Sequence, residues 1–192
     1  MKLLIDSSTY YLILALIDEN KITTFNRYGR NDHSETLVDY LQKFLNANKI
    51  EVKKIKEIYI GRGPGSYTGV RICGVVGKVL SYSLNVNLYS FSSLDLLAYA
   101  YLDKDKVLPM IDANKDHCFY KTISFKNNLK TEESFIEKQK INLDFNDYYK
   151  ITMENLINDN KIDTAIKNLL KDNNYQKESN LDYNPNYLRE VI

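Results

Sequence analysis

The chain has 192 residues, 44% of them hydrophobic and 27% charged, the mix of one ordinary globular domain or of two small lobes sharing a core. Lys and Arg total 26 against 25 Asp and Glu, so a protein that grips nucleic acid through a concentrated basic face is not expected. The longest early apolar run, Tyr10–Ile17, is too short for a membrane span, and Cys73 and Cys118 alone make no disulfide framework, which places the expected setting in the cytoplasm with reduced thiols.

Lys2–Ile5 and Tyr10–Ile17 are apolar runs divided by the polar turn Asp6-Ser7-Ser8-Thr9, and Ile22–Arg27 alternates apolar with polar. This pattern predicts three consecutive strands joined by tight turns. Asp32 stands three residues before Glu35, the spacing of a capping box, and Leu37, Leu41, Phe44 and Leu45 follow at helical spacing. A helix over roughly 32–48 is expected. Glu57–Gly61 reads as a fourth strand, Ser66 or Thr68 can cap a second helix running to about Ser83, and Val86–Tyr89 reads as a fifth strand. Ser92 or Ser93 can open a third helix through Tyr101. A fainter echo follows: strands at Val107–Ile111 and His117–Phe125, a turn at Asn127-Asn128, and a third strand at Leu129–Ile136. Beyond it, Asp163–Leu170 is amphipathic. The chain reads as an α/β protein with an N-terminal lobe over 1–101 and a reduced C-terminal lobe over 102–192.

All seven glycines lie between Gly29 and Gly77, and none follows Lys78. A loop that closes on a phosphate or an adenine needs positive φ angles or a missing Cβ, so such a loop is not expected in the second half. The glycine-rich run Gly61-Arg62-Gly63-Pro64-Gly65-Ser66-Tyr67-Thr68-Gly69 sits between a strand and a helix, where helix amides with Ser66 and Thr68 can bind an anion. It lacks the Gly-Lys-Ser/Thr of a P-loop and the spacing of a dinucleotide fingerprint, and a purely structural turn is the competing reading. In the following helix Gly74, Gly77 and Ser81 share one face, with Val70 a turn earlier. Mid-helix glycine costs about 1 kcal/mol against alanine, so a second backbone is expected close to that face, either inside the chain or from a partner helix.

His33 and His117 have no ligand partners at metal-binding spacing, and Cys73 near Arg71 reads as a small buried hydrophobe. No catalytic constellation emerges.

Three segments in order, Leu3-Leu4-Ile5-Asp6-Ser7-Ser8, His33-Ser34-Glu35-Thr36-Leu37 and Gly61–Arg71, resemble the TsaB (YeaZ) family. Pro109-Met110-Ile111-Asp112-Ala113 is similar to the start of that family's second lobe, and Pro185-Asn186-Tyr187-Leu188-Arg189 to its C-terminal motif. The resemblance implies an actin-like (ASKHA) bilobed fold of two related β-β-β-α-β-α-β-α units with the second lobe shortened. It implies a non-catalytic subunit that binds and positions TsaD for threonylcarbamoylation of the adenosine next to the tRNA anticodon. TsaD carries an H-x-x-x-H metal pair; the matching region, near Ser90–Ser93, has no histidine. The helices after His33 and Ser66 would then form the interface with TsaD, through His33, Glu35, Leu37, Leu41, Gly65, Thr68, Val70, Arg71, Gly74, Gly77 and Ser81. The ATPase TsaE would join the pair, tRNA would be met only within the complex, and a homodimer can form through the same helices in isolation. No cofactor or metal is expected on the isolated chain. The competing expectation is an actin-fold ATPase or glycoprotease-like hydrolase active on its own.

Overall fold

The computed structural model describes residues 1–19, 21–29 and 32–179, apart from the side chain of Asn142. The motif Pro185–Arg189 lies outside the described residues. The first unit runs β1 (Lys2–Asp6), β2 (Tyr11–Ile17), β3 (Ile22–Tyr28), α1 (His33–Ala47), β4 (Glu57–Gly61), α2 (Tyr67–Leu84), β5 (Asn87–Phe91) and α3 (Ser93–Ala98), which tightens into a 3-10 turn at Tyr99–Tyr101. β1 pairs antiparallel with β2, from Lys2 opposite Ile17 to Asp6 opposite Ile13, and parallel with β4, which pairs parallel with β5.

β1 and β2 are apolar on both faces because helices cover both. Leu3, Ile5, Leu12, Leu14 and Leu16 pack with Leu37, Leu41, Phe44 and Leu45 of α1 and with Cys73 and Val76 of α2. Leu4, Ile13, Ala15 and Ile17, alternating with them, pack on the opposite face in the larger core that α3 joins.

The expected capping box at Asp32 and Glu35 is absent. The two Arg27 guanidinium amino groups take the Asp32 carboxylate at 2.9 and 2.5 Å, leaving no side-chain cap bond, and the Glu35 side chain is exposed. A bidentate arginine fork is the stronger partner for a carboxylate. At α2 the cap is Ser66, whose Oγ accepts from Gly69 N at 3.3 Å, and at α3 it is Ser92, whose Oγ accepts from Asp95 N at 3.3 Å.

The second unit contains β6 (Lys106–Asp112), β7 (His117–Tyr120), β8 (Ile123–Ser124), β9 (Leu129–Lys130), β10 (Ser134–Glu137), α4 (Lys138–Asp144), β11 (Tyr149–Ile151), α5 (Met153–Asn158), α6 (Ile162–Lys171) and β12 (Gln176–Lys177). β7 and β8 keep one continuous register against β6, from Asp112 opposite Cys118 to Lys106 opposite Ser124. The ladder is interrupted around Pro109, which has no N–H to donate. β10 pairs with β7, and β11 lies parallel to β6 as β4 does to β1. Of the expected echo, Val107–Ile111 is present within β6, His117–Phe125 divides into β7 and β8, and Leu129–Ile136 divides into β9, which pairs with β8, and β10, which pairs with β7. After α6 the chain returns to the first sheet, where β12 pairs antiparallel with the β5 edge.

Both sheets contribute to one core. Leu4 and Phe91 of the first sheet, Leu94, Leu96 and Leu97 of α3, Val107, Phe119 and Ile123 of the second sheet, and Ile166 and Leu169 of α6 belong to a single buried cluster. No helix among the described residues is long and apolar enough to cross a membrane.

Candidate functional site

The turn after β1 and the glycine loop after β4 are pressed together. Ser66 N donates to Ser8 O at 2.7 Å, and a β carbon on Gly65 would come within 2.1 Å of that same oxygen. A β carbon on Gly61 would meet the Asp6 carboxyl at 2.5 to 2.7 Å, and Gly63 holds a φ of +88°. The loop also bonds to the strand end beside it, Arg62 N to Phe91 O and Ser93 N to Gly63 O, both at 2.9 Å. These glycines therefore accommodate close approach within the chain, and Arg62 N, Ser66 N and Gly69 N, which a phosphate loop would offer to an anion, are already used. Asp6 is buried and accepts from Ser8 N at 2.8 Å; burial pushes its carboxyl above the usual range. Cys73, also buried, directs its thiol at Ile5 O at 3.3 Å, and burial pushes that thiol far up, which fits its reading as a small hydrophobe.

The residues expected at a partner interface divide into two groups. Glu35, Thr68 and Arg71 are exposed and Gly65 is half-buried; His33, Leu37, Leu41, Val70, Gly74, Gly77 and Ser81 are buried within this chain. His33 donates from Nε2 to Thr9 O at 3.0 Å, and Ser81 Oγ donates to Val86 O at 2.6 Å. A β carbon on Gly77 would stand 2.6 Å from Cγ2 of Ile60 and 3.2 Å from Cδ1 of Leu88. At Gly77 the close neighbours are side chains of the same molecule's own sheet, not the second backbone that the glycine spacing predicts. The assignment of the Gly74, Gly77 and Ser81 face to a partner helix is corrected accordingly.

The opposite side of α2 carries the outward apolar surface. Tyr67, Arg71, Val75, Val79 and Tyr82 follow one another at intervals of four and three residues, which places them along one ridge. Val75, Val79 and Tyr82 are 55%, 58% and 82% exposed, and Val38 on the neighbouring helix α1 is 59% exposed. The Arg71 guanidinium lies 3.9 Å from the Tyr67 ring centre, a cation–π contact at the N-terminal end of the ridge. Beside Val38 a groove of ≈ 610 Å³ opens between α1, Leu80 of α2 and the segment through Ile50 and Val52. Sequence reasoning missed Val38, Val75, Val79 and Tyr82. The available signal was a helix apolar on more than one side, which one sheet face cannot cover entirely.

His33 and His117 lie in different units, and among the described residues no group of three His, Cys, Asp or Glu side chains is placed to hold a metal ion.

A family model described as TsaD: tRNA N6-adenosine threonylcarbamoyltransferase matches residues 13–178. The tRNA threonylcarbamoyladenosine biosynthesis protein TsaB of Bacillus subtilis is 33% identical over 129 residues, covering 66% of this chain and 56% of that protein. The protein of the same description from Buchnera aphidicola subsp. Acyrthosiphon pisum is 24% identical over 210 residues, covering 96% and 95%. The chain belongs to the TsaB (YeaZ) family. Against the TsaB proteins of B. subtilis and Haemophilus influenzae it spans a little over half of the relative's length, 56% and 58%. The solved YeaZ of Pseudomonas aeruginosa superposes with a TM-score of 0.66 at 22% identity, covering 79% of this chain and 76% of that one. A second structure, described as an uncharacterized protein with similarity to peptidase YeaZ from Pseudomonas aeruginosa, superposes with a TM-score of 0.74 at 19% identity, covering 98% and 100%. The two-sheet α/β architecture is thus that of the solved YeaZ structures, with Ser7, Gly65 and Gly69 of the family-like segments at the tight contact between the first turn and α2.

Proposed function

We propose that this chain acts in tRNA threonylcarbamoyladenosine biosynthesis as a non-catalytic subunit, binding and positioning TsaD through the outward ridge of α2 and the adjoining side of α1. The observation that carries the proposal is the line of exposed apolar side chains, Val75, Val79 and Tyr82 with Val38 beside them. Such a contiguous apolar surface marks an interaction site in a soluble protein. The names of the relatives supply the process, and the amides of Arg62, Ser66 and Gly69, already bonded within the chain, support a subunit that binds no nucleotide alone. TsaE joins the pair, and tRNA is met on the composite surface, consistent with a formal charge of +1. In isolation the same ridge supports a homodimer.

The test is binding to TsaD from the same organism, by calorimetry, with wild type, Val75→Glu and Val79→Glu. Both substitutions lie on the exposed side, so the circular dichroism of the chain stays unchanged. Each is expected to weaken binding by at least about 30-fold, the loss of one interface hot spot. Binding at wild-type strength by both variants overturns the docking assignment. Tight Mg-ATP binding or turnover by the isolated chain would favour an actin-fold ATPase instead.

A further inference from the structure

Along β7 and β8 the alternation of the strand puts Phe119, Lys121 and Ile123 on one face, toward the core that both sheets share. Phe119 and Ile123 belong there as hydrophobes. Lys121 does not, yet its side chain is 8% exposed. Its ammonium lies 2.7 Å from the carboxylate of Asp95, whose side chain is 9% exposed and which sits on α3 between Leu94 and Leu96. A buried ion pair is not explained by stability alone, since well-packed hydrophobes of similar volume do as well or better.

A second bond from the same sheet reaches the same helix end. Ser92 Oγ donates to the carboxylate of Glu133, which precedes β10, while it accepts from Asp95 N as the cap of α3. Burial pushes the Glu133 carboxyl above the usual range, against the bond from Ser92 and the nearby charges of Lys121 and Arg62, which lower it. The groups that meet at the start of α3 thus come from both sides of the junction: Ser92 and Asp95 from the first unit, Lys121 and Glu133 from the second. The next residue, Ser93, ties the cap to the glycine loop through Gly63 O.

We propose that Lys121 and Glu133 form a built-in clamp, two side chains of the second unit that grip the capped start of α3 through Asp95 and Ser92 and hold the two sheets together without any ligand. The clamp fixes the register of the second sheet against α3, which an apolar contact alone leaves free to slide. It concerns the isolated chain and stands whether or not TsaD is the partner.

Amide hydrogen exchange of the full chain, with wild type, Lys121→Met and Glu133→Gln, tests it. Met keeps the length of Lys121 and removes its charge, and Gln replaces the Glu133 carboxyl while keeping an acceptor for Ser92, each with little change of volume. The expected result is exchange at least about ten-fold faster at the start of α3, at 119–124 and at 133–137, with β1 and β2 unchanged. Exchange within two-fold of wild type at those segments, or an equal rise across β1 and β2, overturns the clamp. Should Lys121→Met fail to fold, the half-buried Glu133→Gln carries the same comparison alone. Exchange that slows at the start of α3 when Mg-ATP is added to wild type also overturns it, because the junction would then be completed by a ligand.

Discussion

Gly69 and Ser7 hold the start of α2 against the turn that follows β1. Ser7 Oγ donates to Gly69 O at 2.8 Å, and a β carbon on Gly69 would lie 1.9 Å from Ser7 O. The obstacle is backbone, which cannot rotate aside as a side-chain end can. Gly69→Ala is therefore expected to lose roughly 2–3 kcal/mol through overpacking. Thermal melting followed by circular dichroism should show a midpoint lower by roughly 5–10 °C, at about 2–4 °C per kcal/mol for a chain of this size. Thr68→Ala, one residue away and exposed, should melt with the wild type. Equal midpoints for Gly69→Ala and wild type would show that α2 can lift from the turn.

Asp6 gives a stability that depends on pH in an unusual direction. Burial raises its carboxyl above the ordinary 3.8, against the lowering by its bond from Ser8 N. The folded chain thus holds this proton to higher pH than the unfolded chain does, and the cost of the buried charge grows as pH rises from 3.8 through the folded value. Asp6→Asn keeps the acceptor for Ser8 N and removes the charge. It should raise the denaturation midpoint at pH 7 and flatten the pH dependence above pH 4, with little effect at pH 3. Urea titrations of both proteins at pH 3, 5 and 7 measure this; a midpoint at pH 7 below wild type would mean that the carboxylate is compensated in the fold.

The first unit was legible because its elements are long and its periods clean: two apolar runs separated by Asp6–Thr9, then helical spacing from Leu37 to Leu45. What periodicity could not supply was the side of α2 that faces outward. Cys73, Val76 and Gly77 point inward and Val75 and Val79 outward, all of them small or apolar, so the pattern names a helix without orienting it. Gly77 signalled a close neighbour, but whether that neighbour was Ile60 or another chain depends on a sheet assembled from distant strands. The Asp32–Glu35 spacing misled for a related reason, since Arg27 on β3 competes for the Asp32 carboxylate. In the second unit α4, β11 and α5 have 7, 3 and 6 residues, too few for a period to show. β12 exists because α6 delivers it to the β5 edge, information that its own two residues do not contain.

The glycine-free half still turns in left-handed fashion, and it does so with asparagine. Asn128, Asn160 and Asn173 have φ angles of 51°, 52° and 52°. Asparagine enters this region more readily than other non-glycine residues, so the absence of glycine after Gly77 limits close backbone approach more than it limits turning. Asn160, exposed between α5 and α6, closes the end of α5 with a bond from its N to Ile157 O at 3.0 Å. Asn160→Gly should leave stability within about 0.5 kcal/mol of wild type, because glycine adopts the same angles freely. Asn160→Val should cost roughly 1–2 kcal/mol, the penalty of a left-handed residue carrying a branched β carbon. Urea denaturation separates the two, and equal midpoints for the valine and glycine variants would mean that this turn rearranges without strain. A loop that needs room for a phosphate has a stricter demand: it requires the β carbon to be missing, and asparagine cannot meet it. By that physical difference the second unit can fold sharply and still lack the kind of backbone contact that Gly65 and Gly69 make in the first.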